Sequence, residues 1–183
     1  MAMLAQALYG VHDFKLTGLV GISDQQVEVH KGLYAGYVRN VNLLNERITA
    51  LANEGKVGTP EWAELTRRLG FEYDGMILHE YYFGNLKAGT GPLNPQSALG
   101  RTIAQSFGSV DAWLTDYRGI AAMRGVGWAV LFQDPVTGWL SNHWITLHQD
   151  GVPVSFKPLL VLDVWEHAFM VDYVPAERGR YID

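Results

Sequence analysis

The feature that most constrains the fold is a proline-free stretch from residue 23 to about residue 53. Its apolar and aromatic side chains recur at three- and four-residue steps, the spacing of one face of an α-helix. Ser23 or Asp24 is a suitable N-cap residue, and Gln26 follows three positions after Ser23, as in a capping box. A helix of this length depends on tertiary packing for most of its stability. The stretch therefore predicts a long helix with a packed partner.

The partner is predicted in the next part of the chain. After a break at residues 55–60, residues 62–86 again have helical spacing. Gly70 and Gly75 lie within this segment, and we expect the helix to be interrupted near both. The two helices are predicted to form an antiparallel hairpin.

The second half of the chain has a mixed pattern. Residues 88–95 are dense in Gly and Pro, which predicts a boundary between an N-terminal domain of residues 1–91 and a C-terminal domain of residues 92–183. A helical stretch follows from about residue 95 to residue 123, broken near Gly108.

Three apolar, strand-like runs come next, separated by turns that contain Pro and Gly. They span residues 127–133, 139–146 and 159–164. The predicted fold class is α+β: an N-terminal antiparallel helical hairpin, then a C-terminal domain with a small three-stranded antiparallel sheet flanked by helices.

Composition excludes several classes of protein. The 183 residues include no cysteine, so any metal must be held by imidazole and carboxylate, which suits iron, manganese or zinc. A net charge of −5, with Lys and Arg scattered singly, argues against a nucleic-acid partner. The sequence has neither an apolar run long enough to cross a bilayer nor the pattern of a secretory signal. We expect a cytoplasmic protein that binds neither nucleic acid nor membranes.

Two histidines stand out by position. His30 and His79 lie near the middle of the two predicted helices, on faces that also carry aromatic residues. Histidines that face each other across a helical hairpin hold metals in the cores of helix bundles. Two core histidines hydrogen-bonded to tyrosines would explain the pattern equally well.

A carboxylate and a further histidine follow the last strand-like run. Asp163 ends this run, and His167 comes four residues later. Both side chains can lie on one side of a turn, and a buried carboxylate requires a partner such as a cation. The alternative is that Asp163 caps a following helix in which His167 packs.

These residues lie in a longer pattern. The segment Asp163-Val164-Trp165-Glu166-His167-Ala168-Phe169 resembles the iron/manganese superoxide dismutase signature D-x-W-E-H-A-[FY]. Further matches occur in the order that the family requires: Val171-Asp172-Tyr173, Tyr37-Val38-x-Asn40-x-Asn42, His79-x-Tyr81-Tyr82-Phe83, Phe107-Gly108-Ser109 and Gly127-Trp128. The resemblance extends from about residue 20 to residue 181.

The resemblance implies a metalloenzyme that converts superoxide into dioxygen and hydrogen peroxide. It implies one iron or manganese ion per chain, with a solvent molecule as an additional ligand. The implied protein ligands are His30, His79, Asp163 and His167.

The resemblance also implies residues around the metal. Tyr37 matches the active-site tyrosine, and Gln149 or His148 is the candidate for hydrogen-bonding the metal's solvent, with Gln149 preferred by motif. Trp128 and Trp165 are implied as walls of the site. Members of the family assemble, so a homodimer or homotetramer is implied, in which Glu166 reaches a neighbouring subunit's ligand.

The sequence departs from the family pattern near the site. One residue fewer separates His30 from Tyr37, which predicts the loss of a one-residue helical bulge. The family's gateway histidine is absent, with Leu33 or Tyr34 in its place, and Met170 replaces the tyrosine that bonds it. These departures motivate an alternative, a catalytically weak or silent metal-binding member of the same fold. A different metalloenzyme, such as a zinc hydrolase, is a third hypothesis.

Overall fold

The structure, a computed structural model, describes residues 8–183 and confirms the predicted α+β fold. Its helices are α1 (Asp24–Asn53), α2 (Pro60–Asn85), α3 (Ala98–Phe107), α4 (Val110–Ala121) and α5 (Arg178–Ile182). Its strands are β1 (Gly127–Gln133), β2 (Leu140–Thr146) and β3 (Lys157–Asp163), and single 3₁₀ turns lie at Glu166–Ala168 and Pro175–Glu177. Within the described residues, no helix is both long and apolar enough to cross a membrane.

The two long helices form the predicted antiparallel hairpin. Arg47 near the end of α1 bonds Glu61 at the start of α2, whereas Tyr34 near the start of α1 bonds Glu80 near the end of α2.

Of the two N-cap candidates of α1, Ser23 is the one observed, because its hydroxyl accepts a hydrogen bond from the Gln26 N–H at 3.0 Å. The predicted capping box is wrong in its second half: the Ser23 N–H donates to Asp172, and the Gln26 amide bonds His167 and Val171 instead.

The predicted interruptions of the second helix are wrong. Helix α2 is continuous through both Gly70 and Gly75. A glycine costs a helix about 1 kcal/mol relative to alanine, a loss that packing against a long partner can offset.

The sheet has the order β2-β1-β3, and both pairs are antiparallel. The central strand β1 is buried along nearly its whole length. A register shift at Leu131/Phe132 lies opposite Pro158 of the edge strand β3. Because proline has no N–H to give to the ladder, it is tolerated at an edge or a bulge.

Successive side chains of β1 enter two different cores. Trp128, Val130 and Phe132 pack on the helical hairpin, whereas Ala129 and Leu131 pack on α3 and α4. This alternation follows from the two-residue period of a strand. The hairpin thus covers one face of the sheet and α3 and α4 the other. The domain boundary at residue 91 lies between α2 and α3 and stays a prediction.

Candidate metal centre

The four predicted ligands converge on one point between the hairpin and the sheet. His30 comes from α1, His79 from α2, Asp163 from the last position of β3, and His167 from the 3₁₀ turn that follows. One nitrogen or oxygen from each residue lies within 4.8 Å of all the others. The first three residues are buried and His167 is partly buried.

The separations of the three imidazole nitrogens from the Asp163 carboxylate match donors bound to a single ion. Oδ2 of Asp163 lies 3.0 Å from Nε2 of His30, 3.1 Å from Nε2 of His167 and 3.7 Å from Nε2 of His79. Two donors bound at about 2.1 Å to one ion are about 3.0 Å apart at a right angle and about 3.6 Å apart at 120°. The donor set therefore fits a mononuclear metal site.

His79 presents a lone pair with no protein partner. Its Nδ1 lies 2.6 Å from the carbonyl oxygen of Gly75, so this nitrogen carries the ring proton and donates it. Its Nε2 is buried and has no hydrogen-bond partner among the described residues. Metal-binding histidines usually donate their second nitrogen to a carbonyl or carboxylate in this way. The backbone of α2 thus fixes His79 in the tautomer that a metal requires.

The protonation states also suit a cation. Burial opposes ionisation of Asp163, but hydrogen bonds from His167 and His30 outweigh it and hold the pKa of this carboxyl well below its usual range. Burial lowers the pKa of His30, and it lowers the pKa of His79 to about 3. At neutral pH the site therefore offers an ionised carboxylate beside neutral imidazoles.

A hydrogen-bonded pair lies beside the ligands. The indole Nε1–H of Trp128 donates to Nδ1 of His148 at 3.1 Å, so the ring proton of His148 resides on Nε2. That nitrogen lies 2.7 Å from the hydroxyl oxygen of Tyr37 and donates to it. Burial lowers the pKa of His148 to about 4, which keeps the ring neutral at pH 7. The hydroxyl proton of Tyr37 remains available to another acceptor.

Comparison with known proteins shows which proteins this chain is related to. Residues 95–183 match the model of the iron/manganese superoxide dismutases, C-terminal domain. The iron superoxide dismutase of Aquifex pyrophilus is 36% identical over 174 residues, which cover 92% of this chain and 80% of that protein. The chain belongs to the iron/manganese superoxide dismutase family. Manganese superoxide dismutase 2 of Haloferax volcanii is 33% identical over 162 residues, covering 88% of this chain and 79% of that protein.

The structure places the two candidates for the outer hydrogen bond differently, and the role itself stays a prediction. His148, and not the Gln149 preferred by motif, lies beside Tyr37, while Oε1 of Gln149 is buried without a hydrogen-bond partner among the described residues. Leu147 adopts a left-handed backbone conformation with a φ of 55° just before His148. Because non-glycine residues rarely adopt this conformation, the sequence gives no sign of this turn.

The two predicted tryptophans do line the site. The Trp165 ring stacks on His148 and on His167, with centroids 5.0 and 5.6 Å apart, and Trp128 meets His79 edge-on at 5.0 Å. Sequence reasoning missed Tyr181, whose hydroxyl donates to the carbonyl oxygen of Asp163 at 2.7 Å. No motif position drew attention to it.

The structure shows the surroundings of the residues that depart from the family pattern. Helix α1 is α-helical from His30 to Tyr37, so both residues reach the site without a bulge. Tyr34, one helical turn after His30, donates its hydroxyl to Glu80 at 2.9 Å and accepts from the His12 N–H at 3.0 Å. Met170 is half exposed.

Proposed function

We propose that this chain is a superoxide dismutase that binds one iron or manganese ion through His30, His79, Asp163 and His167. The net reaction converts two superoxide anions and two protons into dioxygen and hydrogen peroxide. The observation that carries the proposal is the buried, unpaired Nε2 of His79, which faces the Asp163 carboxylate and two further imidazoles. When bound, the metal supplies the one-electron acceptor and donor that the reaction needs.

The four ligands have distinct tasks in this proposal. Asp163 supplies the one negative charge that offsets part of the cation's charge. The imidazoles of His30, His79 and His167 supply nitrogen donors. A mixed nitrogen and oxygen set without thiolate suits iron or manganese, and the relatives named above include enzymes of both kinds.

Tyr37 and His148 are proposed to take part in delivering the protons that the reaction consumes. Burial, together with the charges of Glu72 and Asp163, raises the pKa of Tyr37 to about 12, so the phenol stays protonated at pH 7. Since its oxygen already accepts the His148 N–H, the tyrosine acts as a hydrogen-bond donor rather than as a base. Trp128 donates to Nδ1 of His148, so the ring proton stays on Nε2 and His148 remains the donor to Tyr37.

Assembly into a homodimer or homotetramer is part of the same proposal. Glu166 is exposed next to the ligand His167 and is free to reach a neighbouring subunit. Leu33 on α1 and Met170 after the signature also leave apolar surface exposed. Light scattering during size exclusion at micromolar concentration tests this, and a monomer would contradict it.

The decisive experiment combines elemental analysis of protein from its native source with a superoxide-consumption assay on the same sample. About one iron or manganese ion per chain with fast turnover is expected. Negligible turnover at full occupancy would favour the catalytically silent alternative, and zinc as the native metal would favour a different metalloenzyme. His79→Gln is the control and is expected to lower metal content and activity together.

A further inference from the structure

A buried carboxylate lies next to the candidate site, and the function proposed above uses only the effect of its charge on Tyr37. Glu72 of α2 is 3% exposed. Its oxygens accept hydrogen bonds from Asn40 Nδ2 at 3.1 Å and from Arg68 Nε at 2.7 Å, and Arg68 Nη2 lies 2.6 Å away. A buried charge is tolerated only when it is paired and hydrogen-bonded in this way. These contacts hold the Arg68 guanidinium in one orientation.

That guanidinium lies on an aromatic ring that contacts His148 and Tyr37. Cζ of Arg68 is 4.0 Å from the centre of the Phe71 ring, within range of a cation–π interaction. The Phe71 ring meets His148 edge-on, with centroids 4.5 Å apart, and its centroid is 6.3 Å from that of Tyr37. A continuous set of contacts thus runs from Glu72 through Arg68 and Phe71 to His148.

The opposite contacts of His148 complete the arrangement. Trp165 stacks on its ring at 5.0 Å with an interplanar angle of 22°. Trp128 and Tyr37 hold its two nitrogens. Phe71 is the neighbour in contact with an ion pair, because its ring carries the Arg68 guanidinium, which pairs with the buried Glu72.

We infer that Glu72, Arg68 and Phe71 form a clamp of positioning residues that keeps the His148 ring in hydrogen-bonding reach of Tyr37. Among the described residues, no hydrogen bond, ion pair or ring contact joins the clamp to the four proposed metal ligands. Its effect on turnover rests on the proposed function, whereas its effect on the His148–Tyr37 hydrogen bond does not.

The chain contains a matched control for the charge of Arg68. Arg67, the neighbouring residue on α2, forms an exposed ion pair with Glu64. Among the described residues, the guanidinium over the Phe71 ring is that of Arg68. Arg67→Gln and Arg68→Gln remove the same charge from the same helix. A general loss of attraction for the superoxide anion would affect both variants similarly, whereas loss of the clamp, or of the Arg68 charge that acts on His148 and Tyr37, affects only the second. Phe71→Leu keeps that charge and therefore separates the two causes.

The first measurement uses the metal-free full chain and requires no activity. The Nε2–H proton of His148 is observed by nitrogen-edited NMR and assigned by its loss in His148→Gln. We expect this proton to exchange with solvent faster in Arg68→Gln and Phe71→Leu than in the wild type, and at the wild-type rate in Arg67→Gln. Phe71→Leu keeps an apolar side chain of similar bulk, so the test stands if Arg68→Gln fails to fold.

The second measurement is turnover of the metal-loaded variants at equal metal content. Arg68→Gln is expected to lower kcat about three- to tenfold, at the lower end of the loss caused by removing an outer partner of a metal site. The inference is overturned if Arg68→Gln and Phe71→Leu match Arg67→Gln in both measurements. If the wild type itself lacks turnover, the proposed function fails, and proton exchange alone decides the inference.

Discussion

At the scale of single residues, Gly75 shows how tightly the side chains around the candidate site are packed. A Cβ at this position would lie 2.7 and 2.8 Å from two ring carbons of Tyr37 and 3.2 Å from Cδ2 of His148. Its carbonyl also accepts the Nδ1–H of His79. Glycine is therefore required here by space and not by backbone conformation.

We predict that Gly75→Ala lowers the free energy of unfolding by about 1–3 kcal/mol, because an added methyl group forces the Tyr37 ring to move. Urea denaturation measures this change. Gly70→Ala is the control on the same helix, since no atom lies within 4 Å of the added Cβ. It is expected to stabilise by about 0.5–1 kcal/mol through helix propensity. Equal stability of the two variants would contradict the prediction.

Single residues also mark the limit of sequence reasoning about the site. The convergence of the four candidate ligands could be predicted because their types and spacing match a long signature. The partner of Tyr37 could not, because the choice between His148 and Gln149 depends on the left-handed conformation of Leu147. Arg68 and Glu72 have the spacing of an ordinary surface ion pair, and nothing in the sequence shows that Glu72 is buried.

At the scale of secondary-structure elements, the first turn of α1 fixes the segment that carries His167. The amide of Gln26 donates to the His167 carbonyl oxygen at 2.7 Å and accepts from the Val171 N–H at 2.9 Å. Gln26 is 1% exposed, so water cannot readily replace its amide as the partner of the His167 carbonyl or the Val171 N–H.

We predict that Gln26→Ala destabilises the protein by about 2 kcal/mol, since it leaves two backbone groups without their partner. Metal content after purification should fall as well, because His167 loses its support. Thermal unfolding and elemental analysis measure the two effects. Gln25→Ala, an exposed neighbour, is the control and should change neither. Unchanged metal content in Gln26→Ala would mean that the first turn of α1 does not position His167.

The elements themselves were predictable where local pattern and tertiary packing agree. Helix α1 and its Ser23 cap follow from spacing and capping chemistry alone. The continuity of α2 through its glycines does not, because the hairpin contacts that support it join residues far apart in sequence. Strand β3 begins before its predicted start and contains Pro158, which an edge strand accepts and a sequence pattern treats as a break.

At the scale of the whole molecule, the donor set joins the hairpin to the end of the sheet. Iron or manganese bound there is expected to stabilise the fold, by about 2.7 kcal/mol at a free concentration one hundred times the Kd. Removal of the metal with a chelator should lower the Tm, and adding it back should restore the Tm. His79→Gln is expected to lose most of this dependence. An identical chelator effect on His79→Gln would contradict the proposed ligand set.

Acid is expected to destabilise the metal-free protein. The folded-state pKa values of His79 and His148 lie at about 3 and about 4, below the ordinary value near 6.5. Between these limits the unfolded chain binds more protons, so stability falls as the pH drops from about 7 to about 4. Each such histidine contributes a slope of up to about 1.4 kcal/mol per pH unit.

Urea midpoints measured at intervals across this range test the prediction. His148→Gln should give a shallower dependence on pH than the wild type. Equal slopes would show that His148 is not held neutral by the fold.

The distance along the chain between the two halves of the donor set has a consequence for biosynthesis. A ribosome that adds 5–20 residues per second releases the α1–α2 hairpin several seconds before Asp163 and His167. A nascent chain that ends before Asp163 offers two imidazoles and is expected to retain no iron in equilibrium dialysis. With the proposed ligand set, we expect the choice of metal to be made after translation, by whichever ion is available when the last segment folds onto the hairpin.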